Sequence, residues 1–193
     1  MRVFIAVLVL IFNLQFWTKA DDIRDYEIEG MSIGNSALDF FSKEEIKKNI
    51  VDYMTDNKFT MTCFSNNLKT FDEVCLMFKS NDKNNIIHGI SGELRYVNKD
   101  INYCFNKQKE IDNEISILFK NLKRKSWGIL KLGPRVLEID PNATYNPITY
   151  DFKNEKERLQ ISCYDFSEED WLKVILYTEY YGAHITQDAI EVN

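Results

Sequence analysis

The 193-residue chain predicts an α+β fold in which antiparallel sheets are each covered by helix, arranged as two successive helix-plus-three-strand units. Three observations carry that expectation. Apolar residues alternate with period two over 59–64, 74–78 and 86–96, and again over 148–152, 159–163 and 172–176. One long stripe at spacings of three and four starts near Asp100, and a shorter capped helical segment surrounds Ser42. Both halves, 33–97 and 100–179, then read in the same order of elements, although no residue-level repeat accompanies it.

The chain begins with Arg2, an apolar run from Val3 to Phe12, and Thr18-Lys19-Ala20 before Asp21. This is the form of a secretory signal peptide, residues 1–20, cut after Ala20. The run is too short for a membrane span of about twenty apolar residues, and Asn13, Gln15 and Lys19 interrupt the residues after it. No later stretch reaches spanning length, and no cysteine stands at the cut to carry lipid. The expectation is a single exported α+β domain over 21–193, with sub-lobes 21–98 and 99–193, periplasmic or secreted.

In the mature region, 26–31 reads as extended and 36–41 as helical. Ser42-Lys43-Glu44-Glu45 then forms a capping box. Gly34 and Ser42 divide this region into a bent helical hairpin. Phe59, Met61 and Cys63 alternate with polar neighbours, and after Ser65-Asn66-Asn67 a second strand places Val74, Leu76 and Phe78 on one face. A third strand sets Ile86, Ile90, Leu94 and Tyr96 on a common side, with Gly89 and Gly92 marking a bulge or a close backbone approach.

The long helix is expected from about Asp100 to about Lys125, its apolar stripe carrying Ile101, Cys104, Gln108, Ile111, Ile115, Leu118 and Leu122. Lys107, Glu110, Glu114 and Arg124 fall on its other side. Residues 126–147 hold all three prolines and many apolar side chains; Trp127, Leu130, Leu132 and Val136 make this long loop the candidate binding surface. Strands then extend to Tyr177. Ser167-Glu168-Glu169-Asp170 also has the form of a helix cap, but Val174, Ile175, Tyr177 and Thr178 favour a strand. The tail after Gly182 is weakly patterned.

Basic residues number 24 and acidic residues 30, and removing Arg2 and Lys19 with the leader takes the net charge from −6 to −8. Nucleic acid is therefore an unsuitable partner, since the only compact basic group, Lys120 with Lys123, Arg124 and Lys125, is placed at a helix C-terminus that favours it. Export turns Cys63, Cys75, Cys104 and Cys163 into candidate disulfides. Cys63 and Cys75 lie on neighbouring strands; Cys104 and Cys163 lie on apolar faces of helix and strand. None has zinc-site spacing, and the sequence offers no cofactor motif.

Motifs for chemistry are weak. Gly89-Ile90-Ser91-Gly92 lacks the spacing and the strand-to-helix turn of a nucleophile elbow. His88 and His184 stand alone. Asp140-Pro141-Asn142-Ala143-Thr144 alternates oxygen donors but has Tyr145 where a calcium loop needs glycine, and Asn142-Ala143-Thr144 is a glycosylation acceptor only in a eukaryotic secretory route. Glu168, Glu169 and Asp170 read as turn residues.

The phrase from Tyr26 to Ser42, YEIEGMSIGNSALDFFS, resembles the opening of an uncharacterised family of exported marine bacterial proteins with an "EGMSIGDSLLDYFS" phrase and a later Ser-Gly strand like Ile90-Ser91-Gly92. Here Asn35 replaces a common Asp. The Gly-Met-Ser opening and the element order are also similar to the small fold of the outer-membrane assembly lipoprotein BamE and of β-lactamase inhibitor proteins. That resemblance implies a module that binds proteins. The expected function is a non-enzymatic protein- or peptide-binding module with another envelope or secreted protein as partner, using loop 126–147 or a sheet face. The alternatives are a hydrolase with dispersed acidic and histidine residues, and a small-ligand carrier with a cavity between helix and sheet lined by Phe and Tyr.

Overall fold

The computed structural model describes residues 22–51, 57–97, 100–152 and 156–182. The expected leader, part of the turn at 154–156, and the tail with His184 lie outside the described residues.

The expected extended segment at 26–31 is instead a tight turn, because Glu29 and Gly30 both take positive φ, 54° and 82°. Ile28 and Met31 exchange backbone bonds across it at 2.9 and 3.0 Å. The Glu29 carboxylate then accepts N–H groups from Lys69 at 2.9 Å, Thr70 at 2.7 Å and Phe71 at 3.2 Å, clasping a loop forty residues away. Gly34 is also left-handed, and the Asn35 side-chain oxygen accepts from the Ser32 N–H and hydroxyl. Ser36 caps a 3-10 turn, Ala37–Asp39, and donates to the Asn84 carbonyl. Helix α1, Lys43–Lys48, starts on the reciprocal Ser42 and Glu45 capping box.

Strands β1 (Ile50–Val51), β2 (Phe59–Phe64), β3 (Glu73–Lys79) and β4 (Ile87–Val97) form one antiparallel meander. Helix α2, Ile101–Leu118, crosses to β5 (Lys123–Ser126), β6 (Leu130–Lys131), the short α3 (Pro134–Leu137), and a second meander of β7 (Thr144–Asp151), β8 (Arg158–Asp165) and β9 (Glu169–Tyr177). The chain is thus α+β, but the sheets do not stay separate. β4 pairs with β9 from Gly89↔Tyr177 to Val97↔Glu169, giving one nine-stranded sheet ordered β1-β2-β3-β4-β9-β8-β7-β5, with β6 also on β7. Each meander ends on an unpaired edge, and pairing the two edges removes both.

One face carries the main core. Val74, Leu76, Ile90, Leu172, Val174, Ile161, Ile148 and Tyr150 meet Ile23, Ile28, Ile46 and Cys104 from the N-terminal segment, α1 and α2. A bulge opposite Met77 and Phe78 shifts the β4 register, so Ile87 rather than Ile86 joins Ile90 in this core; Ile86 instead bridges to Ser36. Gly92 is required here: a Cβ would lie 2.6 Å from the Phe71 ring. Helix α2 stops at Leu118, well short of Lys125. Phe119 leaves helical geometry and packs its ring against Tyr26, and Arg124 is drawn to Asp112 while β5 pairs with the edge of β7. The basic group expected at the helix end therefore lies on a turn and an edge strand.

Cys63–Cys75 links β2 to β3, and Cys104–Cys163 links α2 to β8. Among the described residues no helix is long and apolar enough to cross a membrane. On a chain-entropy basis, the Cys104–Cys163 bond, with a sequence separation of 59, should contribute about 4 kcal/mol, and the Cys63–Cys75 bond, at 12, about 3 kcal/mol. Urea unfolding of the Cys104→Ala/Cys163→Ala and Cys63→Ala/Cys75→Ala pairs checks the order. Replacing Glu29 with Ala strips three backbone donors of their acceptor, and the same measurement should show a loss of about 2 kcal/mol.

Candidate functional site

Among the described residues, the N-terminal segment, α1 and α2 pack on the same face of the sheet. On the second face, the described residues form a small cluster of Phe59, Met77, Ile175 and Tyr177 with Tyr181, from the helical turn at 179–182. Gly89 makes room for it, since a Cβ would meet the Tyr181 ring at 3.1 Å.

Register aligns the side chains of this face in cross-strand rows. One row runs Leu130, Tyr145, Tyr164, Trp171, Arg95 through β6, β7, β8, β9 and β4. Tyr145 and Tyr164 stack with centroids 5.7 Å apart, and the Arg95 guanidinium lies 5.0 Å from the Trp171 ring. Arg95 is held from its other side by Glu73 at 2.8 Å. The next row pairs Lys173 with Glu93 at 2.6 Å, and burial of the Tyr164 hydroxyl raises its pKa, with Lys173 and Ser162 acting against the rise. Trp171 Nε1 and Ser91 Oγ are buried on this face without a hydrogen-bond partner.

The four residues singled out in loop 126–147 fall along its edge. Trp127 donates from Nε1 to Thr149 Oγ1 at 3.2 Å, lies under Lys125, and remains 41% exposed. Leu130 enters the aromatic row, whereas Leu132 and Val136 are half-buried on either side of Gly133, where α3 begins with Pro134 at its first position. Ile129 and Ile139 project, 65% and 87% exposed. The segment is an ordered arm. Asp140 accepts from the Ser167 N–H and hydroxyl, which holds its carboxyl below the ordinary range and ties the arm to the β8–β9 turn. At the other end Arg124 makes two 2.7 Å bonds to Asp112, whose Oδ1 also accepts from the Tyr150 hydroxyl.

Behind the sheet, α2 leaves a cavity of about 90 Å³ lined by Tyr26, Phe71, Ile111, Ile115, Phe119 and Leu176. Lys107 and Glu114 also line it, although helical spacing alone put both on the solvent side. Glu114 is three residues from Ile111 and four from Leu118, so its side chain borders the apolar stripe; that spacing is the signal that finds it. Burial raises its pKa, Lys107 opposing and Glu110 adding to the shift.

The remaining motifs have structural roles. Ser91 has Cys75 and Ile175 as register neighbours, neither of them a base. His88 packs edge-on to Phe59, with burial and Lys79 lowering its pKa. Glu73 approaches Cys63 and Cys75, but those sulfurs are bonded to each other. Asn142 is exposed in the turn that Asp140 caps, and Glu169 and Asp170 begin β9. No protein-family model, curated protein sequence or solved structure matches this chain.

Burial pushes the Asp112 carboxyl up, but the hydrogen bonds from Arg124 and Tyr150 more than offset it and leave it below the ordinary range. A depressed carboxyl stabilises the fold above its unfolded pKa and loses that contribution as pH falls through the folded value. Asp112→Asn should therefore lose about 2 kcal/mol at pH 7, and the gap to the parent should close in strong acid; urea melts across pH check both. Limited proteolysis at neutral pH should cut the variant first within 119–143.

Proposed function

We propose that this is an exported, non-enzymatic module that binds another envelope or secreted protein through the second face of its sheet and the adjoining arm. The observation that supports this reading is the row from Leu130 to Arg95. Adjacent strands are 4.7–4.9 Å apart, so five side chains in register cover roughly 19 Å of contact. Tyr, Trp and Arg are the residues that concentrate binding energy in protein interfaces.

Their arrangement is favourable for that use. Stacking of Tyr145 on Tyr164, and of Arg95 on Trp171, fixes the side chains before a partner arrives, so little rotamer freedom is lost on association. Trp127 and Ile129 extend the same edge with exposed apolar surface. The two disulfides suit an oxidising compartment, in agreement with the leader-like start of the sequence. Ser91 lies between Cys75 and Ile175 in the sheet register.

A photo-crosslinking residue at Ile129, in protein exported by its natural host, should give one discrete adduct with another protein. The same residue at Ile117, 67% exposed on α2, should give none. Once that partner is purified, Trp171→Ala should weaken binding about thirtyfold or more, the scale of an interface hot spot. Adducts from Ile117 alone, or unchanged affinity with a folded Trp171→Ala chain, would overturn the reading.

A further inference from the structure

The cavity between α2 and the sheet lies on the opposite side from the proposed protein contact, so it is an independent site. Its walls are aromatic and aliphatic, from Tyr26, Phe71, Ile111, Ile115, Phe119 and Leu176. Exposed Glu27 and Leu118 stand at its rim, which connects it to solvent. Glu114 places a carboxyl among these side chains, with Oε2 shut off from solvent and without a hydrogen-bond partner. A buried acceptor left unpaired costs stability, and more so when charged. Apolar packing does not require it.

The charges around the cavity indicate what would complete Glu114. A carboxylate only accepts hydrogen bonds. The Lys107 ammonium, which also lines the cavity, is engaged by Glu110 at 2.7 Å. Glu27 adds a further negative charge at the rim. An anionic ligand would be repelled, and a neutral alcohol would gain one hydrogen bond without charge pairing. A cavity of roughly 150 Å³ accepts benzene, so about 90 Å³ suits a shorter alkyl group.

We infer that this cavity binds the alkyl end of a small primary amine, with the ammonium group seated on Glu114. Removal of the alkyl chain from water would drive binding, and the charge-assisted bond would select the head group.

Titration of the protein with n-butylamine, n-butanol and butyrate at equal ionic strength, followed by amide and methyl chemical shifts, tests the assignment. Butylamine should give saturable shifts at Ile111, Ile115 and Phe119 and bind at least tenfold more tightly than butanol, with no binding of butyrate. Glu114→Gln should abolish the tenfold margin while leaving weak butanol binding. The comparison of the three probes on the unaltered chain stands whether or not the variant folds. Unsaturating shifts confined to exposed carboxylates, equal binding of the three probes, or an amine preference that survives in folded Glu114→Gln would overturn the inference.

Discussion

The pairing of β4 with β9 is the constraint on which the rest of the architecture depends. β4 closes the first meander and β9 closes the second, so their union demands that the chain leave β4, travel to the far side, and return strand by strand. Helix α2 makes that journey. Its 18 residues rise about 27 Å, enough to cross the roughly 19 Å between β4 and β5 at an angle. Gln108, inside the helix, settles the crossing by donating to the carbonyls of Asn146 on β7 and Ile161 on β8. The Cys104–Cys163 bond fixes the same contact covalently.

A crossover on one face leaves the other to the strands. The N-terminal turn and α1 join α2 on the same side because Phe64 of β2 and Val74, Leu76 and Phe78 of β3 face it. Away from the cluster around Tyr181, the rows of the second face hold polar and aromatic residues whose neighbours are set by register. The cavity lies along the same helix. Cys104 and Gln108 fasten α2 to β8 and β7, and the space beside Ile111, Ile115 and Phe119 is filled only in part by Tyr26 and Phe71.

Local patterns made most elements legible in the sequence. Alternation located the six long strands, and the capping box located α1, because both signals depend on neighbours a few residues apart. The placement of Cys63 and Cys75 on neighbouring strands, and of Cys104 and Cys163 on apolar faces, made these two pairs suitable, while the sequence alone left three pairings open. What sequence could not reveal depends on distant partners. The stripe continued formally to Leu122, yet the attraction of Arg124 to Asp112 and the vacant edge of β7 convert 123–126 into a strand. Two unpaired meander edges look identical in sequence whether or not they meet, and meeting is what turns separate sheets into one. In the candidate site, Leu130 was visible as an apolar residue in a long loop. Its companions Tyr145, Tyr164, Trp171 and Arg95 are scattered over some eighty residues, and only the β6–β7–β8–β9–β4 register gathers them.

The phrase around Glu29 is spent on the chain's own backbone. Each of its distinctive residues has a geometric role, in that Glu29 receives the loop at 69–71, Gly30 and Gly34 take left-handed backbone, and Asn35 accepts from Ser32. An Asp at that position supplies the same acceptor, so the exchange of Asp for Asn leaves the turn intact. Ser36 then caps the next turn and reaches the carbonyl before β4. These polar groups are thus occupied in holding the chain's own backbone, on the side of the sheet away from the aromatic row. The phrase secures the corner where the first helices meet the sheet. The side chains of the row across β6 to β9, and those lining the cavity beneath α2, are by contrast not consumed by the backbone.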